Sequence, residues 1–116
     1  MENTKHYLSR YPALLCEMEQ TERELAHAPE ALRAPLKRRL KTLRGEAVEI
    51  RRTVEQVPQD SLRMILKCRY LEGMTFEQVA EALYISERHV YRLHKAALRE
   101  AAKVSRRSLP GMECHA

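Results

Sequence analysis

The sequence predicts an all-α fold in two parts: an amino-terminal antiparallel helical hairpin, then three shorter helices packed as a unit. Three observations carry this. The composition is rich in Ala, Leu, Glu, Lys and Arg, with three Gly, five Pro and no Trp, a usage that favours helix over strand. Between residues 36 and 57 apolar side chains recur by fours and threes without a slip. In the stretch MTFEQVAEALYISERHVYRLHKAAL, residues 74–98, two capped helix starts stand eleven residues apart, which one continuous helix does not accommodate.

A first helix is predicted over 3–27, where Leu8, Tyr11, Leu15, Met18 and Leu25 keep a three-and-four spacing that Glu22 interrupts. Pro29 and Pro35 then punctuate the pattern, and a turn is expected over 28–35 with a single helical turn at 30–33, because proline inside a helix costs about 3 kcal/mol and little at a first turn. The next helix carries the seam Leu36, Leu40, Leu43, Ala47, Ile50, Val54 and Val57. Such a seam needs a covering helix. The first helix folded back is one candidate, and a second copy of the chain, making a homodimer, is the other.

Outside the seam, Lys37, Arg38, Arg39, Lys41 and Arg44 form a basic cluster. It reads either as a solvated face or as a surface for phosphate or an acidic partner. Its charges near a helix start oppose the macrodipole at a small cost. Pro58 breaks the long helix, and another is expected to 72, with Leu62, Ile65, Leu66 and Tyr70 on one face and Gly73 as its C-cap.

The next two helices carry their own signals. Thr75 and Gln78 form a capping box, with Met74 placed to staple onto Val79. Ser86 is a good N-cap for the last helix, with Glu87 favourable to its dipole and Ile85 placed against Val90. Val79, Leu83, Ile85, Val90 and Leu93 then share the inner side of two steeply crossing helices, and Ala80 sits where their backbones come closest. That is the pattern of a helix-turn-helix unit. The last helix is expected over 86–104, followed by a flexible basic tail, 105–116. The domain organisation predicted is thus a hairpin leader 1–57, a helix-turn-helix domain 58–104 and the tail.

With Val90 and Leu93 inward, Ser86, Glu87, Arg88, His89, Tyr91, Arg92 and Lys95 face out, where side chains must lie to read a major groove. The net charge of +5 is compatible with a polyanion. Cys16, Cys68 and Cys114 are odd in number and far apart, and the five histidines lack ligand spacing. Neither a metal nor a disulfide framework is expected, and the histidines read as mostly surface residues. No nucleophile–base pair or glycine-rich phosphate loop can be assembled, so neither an enzyme nor a cofactor is expected. With no signal-peptide core and no stretch near 18 apolar residues, no membrane association and a cytoplasmic location are expected.

Residues 65–99, ILKCRYLEGMTFEQVAEALYISERHVYRLHKAALR, resemble region four of bacterial RNA polymerase sigma factors. The likeness lies in Arg69-Tyr70, in Thr75-Phe76-Glu77-Gln78-Val79-Ala80 and in Lys95-Ala96-Ala97-Leu98-Arg99. Tyr84 stands where that family often has a turn glycine, which implies a strained or slightly altered turn backbone. No counterpart of sigma region two is found, so the chain is more similar to short sigma-like regulators of phages and prophages. The resemblance implies double-stranded DNA as partner and RNA polymerase as a further one.

It places base contacts at Glu87, Arg88 and Arg92. Arg88 and Arg92 suit guanine O6 and N7, Glu87 a cytosine amine, and Tyr91 a thymine methyl or a phosphate. Thr75, Ser86 and Lys95 suit phosphates. A sequence-specific transcription regulator is the first functional reading. A DNA-binding part of phage packaging or recombination, and a protein-interaction adaptor, are the alternatives.

Overall fold

In the computed structural model, which describes residues 2–108, every regular element is helical. α1 (Glu2–His27) and α2 (Glu30–Glu55) form the antiparallel hairpin; the turn between them is only Ala28-Pro29. α1 covers the α2 seam within the chain. Leu40, Leu43, Ala47, Ile50, Val54 and Val57 are all buried there, and Leu36 is half-buried.

The inward face of α1 is one residue out of the expected register in two places. Leu14 is buried and Leu15 is 39% exposed; Thr21 is buried and Glu22 exposed. Spacings 11, 14, 18, 21, 25 and 11, 15, 18, 22, 25 both follow a three-and-four rule, so spacing alone does not choose. Chemistry does. The Thr21 hydroxyl donates to its own helix at Glu17 O, 2.7 Å away, and can be buried without an unmet hydrogen bond. A glutamate there would have to shed its hydration. Instead Glu22 reaches the solvent side and pairs with Arg44 at 3.2 Å.

The prolines also behave differently from expectation. Helix α2 starts at Glu30 rather than 36, with Pro29 in extended conformation at its N-cap and Pro35 inside. Pro35 forfeits one bond, to the Ala31 carbonyl, on the exposed side where water reaches it. Pro12 sits likewise inside α1, flanked by buried Leu8, Tyr11 and Leu14. Because α2 begins a turn and a half earlier, Lys37 lies beyond its first turn and the expected macrodipole cost lapses. Arg33 does electrostatic service instead: its Nη1 donates to Leu25 O at 3.0 Å, a carbonyl at the end of α1 that Ala28 N reaches at 3.4 Å.

The third helix starts as α3 (Asp60–Leu66) and continues in a wider, π-type winding over Lys67–Leu71. Sequence reasoning gave no sign of that change. Glu72 N donates to Lys67 O and Met74 N to Cys68 O, both at 3.0 Å. Gly73, at φ +71°, ends the helix as expected. α4 (Phe76–Leu83) and α5 (Glu87–Ser108) follow. Residues 105–108, expected in the tail, are helical, and Val104 is buried just before them. Residues 109–116, with the rest of the tail, lie outside the described residues.

Two apolar clusters hold this together. The larger joins Leu8, Tyr11 and Ile50 of the hairpin to Leu66, Tyr70, Ala97 and Ala101, so it runs across residues 57–58. The smaller is the inside of the α3–α4–α5 unit: Ile65, Cys68, Val79, Ala80 and Val90, with Met74, Phe76, Leu83, Ile85 and Leu93 packed on it. The hairpin therefore braces the second half of α5, leaving the first half to α3 and α4.

Candidate nucleic-acid interface

The α4–turn–α5 segment is fixed at both ends by the expected caps. Thr75 Oγ1 accepts from Gln78 N at 3.1 Å while Thr75 N donates to Gln78 Oε1 at 2.9 Å. Ser86 Oγ accepts from His89 N at 3.1 Å, starting α5. Between them Tyr84 adopts the left-handed conformation, φ 58° and ψ 43°, with its side chain 95% exposed. Its N–H donates to Glu81 O, and Ile85 N to Ala80 O, which closes α4 by the Schellman pattern. The expected turn strain is present, because a tyrosine holds a conformation that glycine adopts freely.

From these supports α5 presents two unlike faces. Val90, His94, Ala97, Leu98, Ala101 and Val104 are buried. Opposite them, Arg88, Arg92 and Lys95 are exposed in a row, and Arg99 extends it. The row spans about 16 Å at 1.5 Å per residue. Arg99 was not among the expected contacts, although the steps of four, three and four from Arg88 carry straight to it. Glu87 and Ser86 are exposed at the start of α5, and Thr75 is exposed at the start of α4. Tyr91 is about half exposed and its ring lies 4.7 Å from that of Phe76, so one side of it is occupied by packing.

Arg69, which carries part of the resemblance but was assigned no role from sequence, lies on the π-wound segment. Its Nη1 donates to Met74 O at 2.9 Å, and its guanidinium lies 4.6 Å above the Phe76 ring and 5.9 Å from Tyr70. It thereby fastens the end of the third helix to the first residues of α4. Its Nε is buried with no partner.

His6, His27 and His89 are exposed, as the surface reading expects, and His94 is the exception. It is buried, its Nε2 hydrogen-bonded to the Tyr70 hydroxyl at 2.7 Å and its ring 4.9 Å from Phe76. Burial, helped by the positive charges of Lys5 and Arg69, lowers its pKa to about 4, so the imidazole is neutral at pH 7. Burial likewise raises the pKa of Tyr70, against the opposing pull of Arg69, and that of Cys68, with Glu72 adding to the shift.

Among the described residues no group of His, Cys, Asp and Glu is arranged to hold a metal ion, and no helix is long and apolar enough to cross a membrane.

Two capped helices, a tight left-handed turn and a cationic outer row define a DNA-binding helix-turn-helix. Residues 59–100, from the start of α3 to the middle of α5, match the family described as sigma-70, region 4, which bears out the resemblance to sigma region four. No curated protein and no solved structure gives a match.

Proposed function

We propose that this chain is a sequence-specific transcription regulator that lays the first half of α5 in the major groove of double-stranded DNA. The observation that supports it is the row Arg88, Arg92, Lys95 and Arg99, which lies exposed on the side of α5 turned away from the hairpin. In this reading Arg88 and Arg92 fork onto guanines, Glu87 accepts from a cytosine amine, and Tyr91 meets a thymine methyl or a phosphate. Thr75, Ser86 and Lys95 hold phosphates and set the register. The Thr75 and Ser86 oxygens already accept hydrogen bonds in their caps, and each hydroxyl keeps its proton to donate.

The likeness to sigma region four supports RNA polymerase as a second partner and regulation of transcription as the setting, and the proposal includes a phage or prophage origin. Selection from random duplexes at several salt concentrations tests the proposal. A defined motif is expected, lost in Arg88→Ala/Arg92→Ala while weak, salt-sensitive binding persists. No motif, or one unchanged in that variant, would overturn it. A homodimer through the hairpin would show as two half-sites a helical turn or a multiple apart, whereas a lone half-site marks a monomer.

A further inference from the structure

The hairpin reaches well beyond the core it braces. The large cluster extends along α1 as far as Met18 and along α2 as far as Leu43. Past those residues lie nine more of α1 and thirteen of α2, an arm of about 14 to 20 Å.

This arm holds much of the molecule's charge. Between residues 22 and 44 there are seven Lys and Arg against three Glu, an excess of four in a chain whose net charge is +5. Glu22 and Glu17 engage Arg44 and Arg39. Among the described residues Lys37, Arg38 and Lys41 have no ion-pair partner.

The arm is also incompletely covered. On one flank of the α1–α2 seam runs a groove of about 550 Å³, floored by Leu25, Ala26 and Leu40 and walled by Arg33, Lys37, Lys41 and Arg44, with Glu22 on the rim tied to Arg44. On the other flank Leu32 is 54% exposed beside Pro35 and Leu36.

We infer that the hairpin arm docks an acidic amphipathic helix of a partner protein, seated in the groove over Leu25, Ala26 and Leu40 with its carboxylates against Lys37 and Lys41. The apolar floor decides between occupants. A DNA backbone would use the cations but gain nothing from the apolar surface that Leu25 and Ala26 still expose over buried Leu40, whereas an amphipathic helix uses both. Two antiparallel helices present a furrow that a third fills, as in a helical bundle. A second copy of this chain would bring the same cations to the same place, so like charges oppose that pairing.

The probe is a synthetic helix of about 18 residues, five turns, with a leucine seam flanked by glutamates, titrated against the full chain by fluorescence anisotropy. Binding is expected to weaken with salt and to fall roughly tenfold in Lys37→Glu/Lys41→Glu. A peptide with lysine in place of glutamate should bind that variant better than it binds the original chain. Both lysines are exposed, and an unchanged circular dichroism melt shows that the fold is kept. Four results would overturn the inference: no peptide binding, equal binding to the variant, a variant that loses duplex affinity instead, or a dimer in sedimentation that the variant dissolves.

Discussion

The Tyr70 hydroxyl and the His94 Nε2 lie 2.7 Å apart, inside the protein, and join the π-wound end of the third helix to the middle of α5. Phe76 packs against the edge of the same imidazole. The helix whose outer row faces solvent is thus held from within by a polar pair that burial keeps uncharged. Neither member touches the outer face, yet both fix its aim.

This pair sets a pH dependence. The unfolded chain protonates His94 near the ordinary 6.5, the folded chain only near 4. The unfolded state therefore binds more protons between those values, and stability falls as pH drops from 6.5 towards 4, levelling off below. The full loss is about 3 kcal/mol. Urea denaturation at pH 7, 5 and 4 measures it. His94→Phe, which cannot titrate, should lose that part of the slope even if it is less stable at pH 7.

At the turn, Tyr84→Gly should stabilise the protein. A non-glycine residue in the left-handed region costs about 1–2 kcal/mol, and the greater freedom of glycine in the unfolded chain offsets part of the relief. With its side chain 95% exposed, Tyr84 gives up almost no packing. A gain of about 0.5–1 kcal/mol is expected, read as a rise in Tm. Tyr84→Val should move Tm the other way, since a β-branched residue fits that conformation worst.

Much of this architecture was legible in sequence because local rules agreed with one another. The Thr75–Gln78 box, the Ser86 cap and the Val79, Ala80 and Val90 core were all written in short-range chemistry, while the Tyr84 turn was flagged by the resemblance. The register of α1 was not, because two spacings satisfied the same periodicity and only burial chemistry separated them. The π winding at Lys67–Leu71 left no trace in the local residue pattern either. The same is true of buried His94, which depends on a partner 24 positions away. The α1 register has a direct test: Leu14→Ala should cost about 2–5 kcal/mol and Leu15→Ala less than about 1. Chemical denaturation compares them, and equal losses would restore the other register.

Arg69→Lys distinguishes a positioning role from a charge. Lysine keeps the cation but not the planar group above Phe76 or the fork that reaches Met74 O. A stability loss of about 1–2 kcal/mol is expected from the lost stacking and hydrogen bond. DNA affinity should fall with it, while the slope of affinity against salt stays the same. A shallower slope would instead make Arg69 a phosphate contact.

The outer row of α5 contains two kinds of cation, and salt dependence separates them. An arginine that forks onto a guanine edge discriminates between bases, worth about 1–3 kcal/mol per site. A lysine against a phosphate releases a counterion and carries no sequence information, so its removal lowers the slope of log affinity against log salt by about one. Lys95 lies about two and a half turns from Ser86, beyond the first turns that enter a groove most deeply, and belongs to the second kind. Lys95→Ala should therefore leave the selected motif intact, weaken all duplexes alike and flatten the salt slope. Arg88→Ala should alter the motif at one position. Arg99 continues the row one turn further, and Arg99→Ala should resemble Lys95→Ala. If Lys95→Ala changes the motif instead, α5 lies deeper in the groove than its cap implies, and Arg99 rather than Lys95 becomes the phosphate contact.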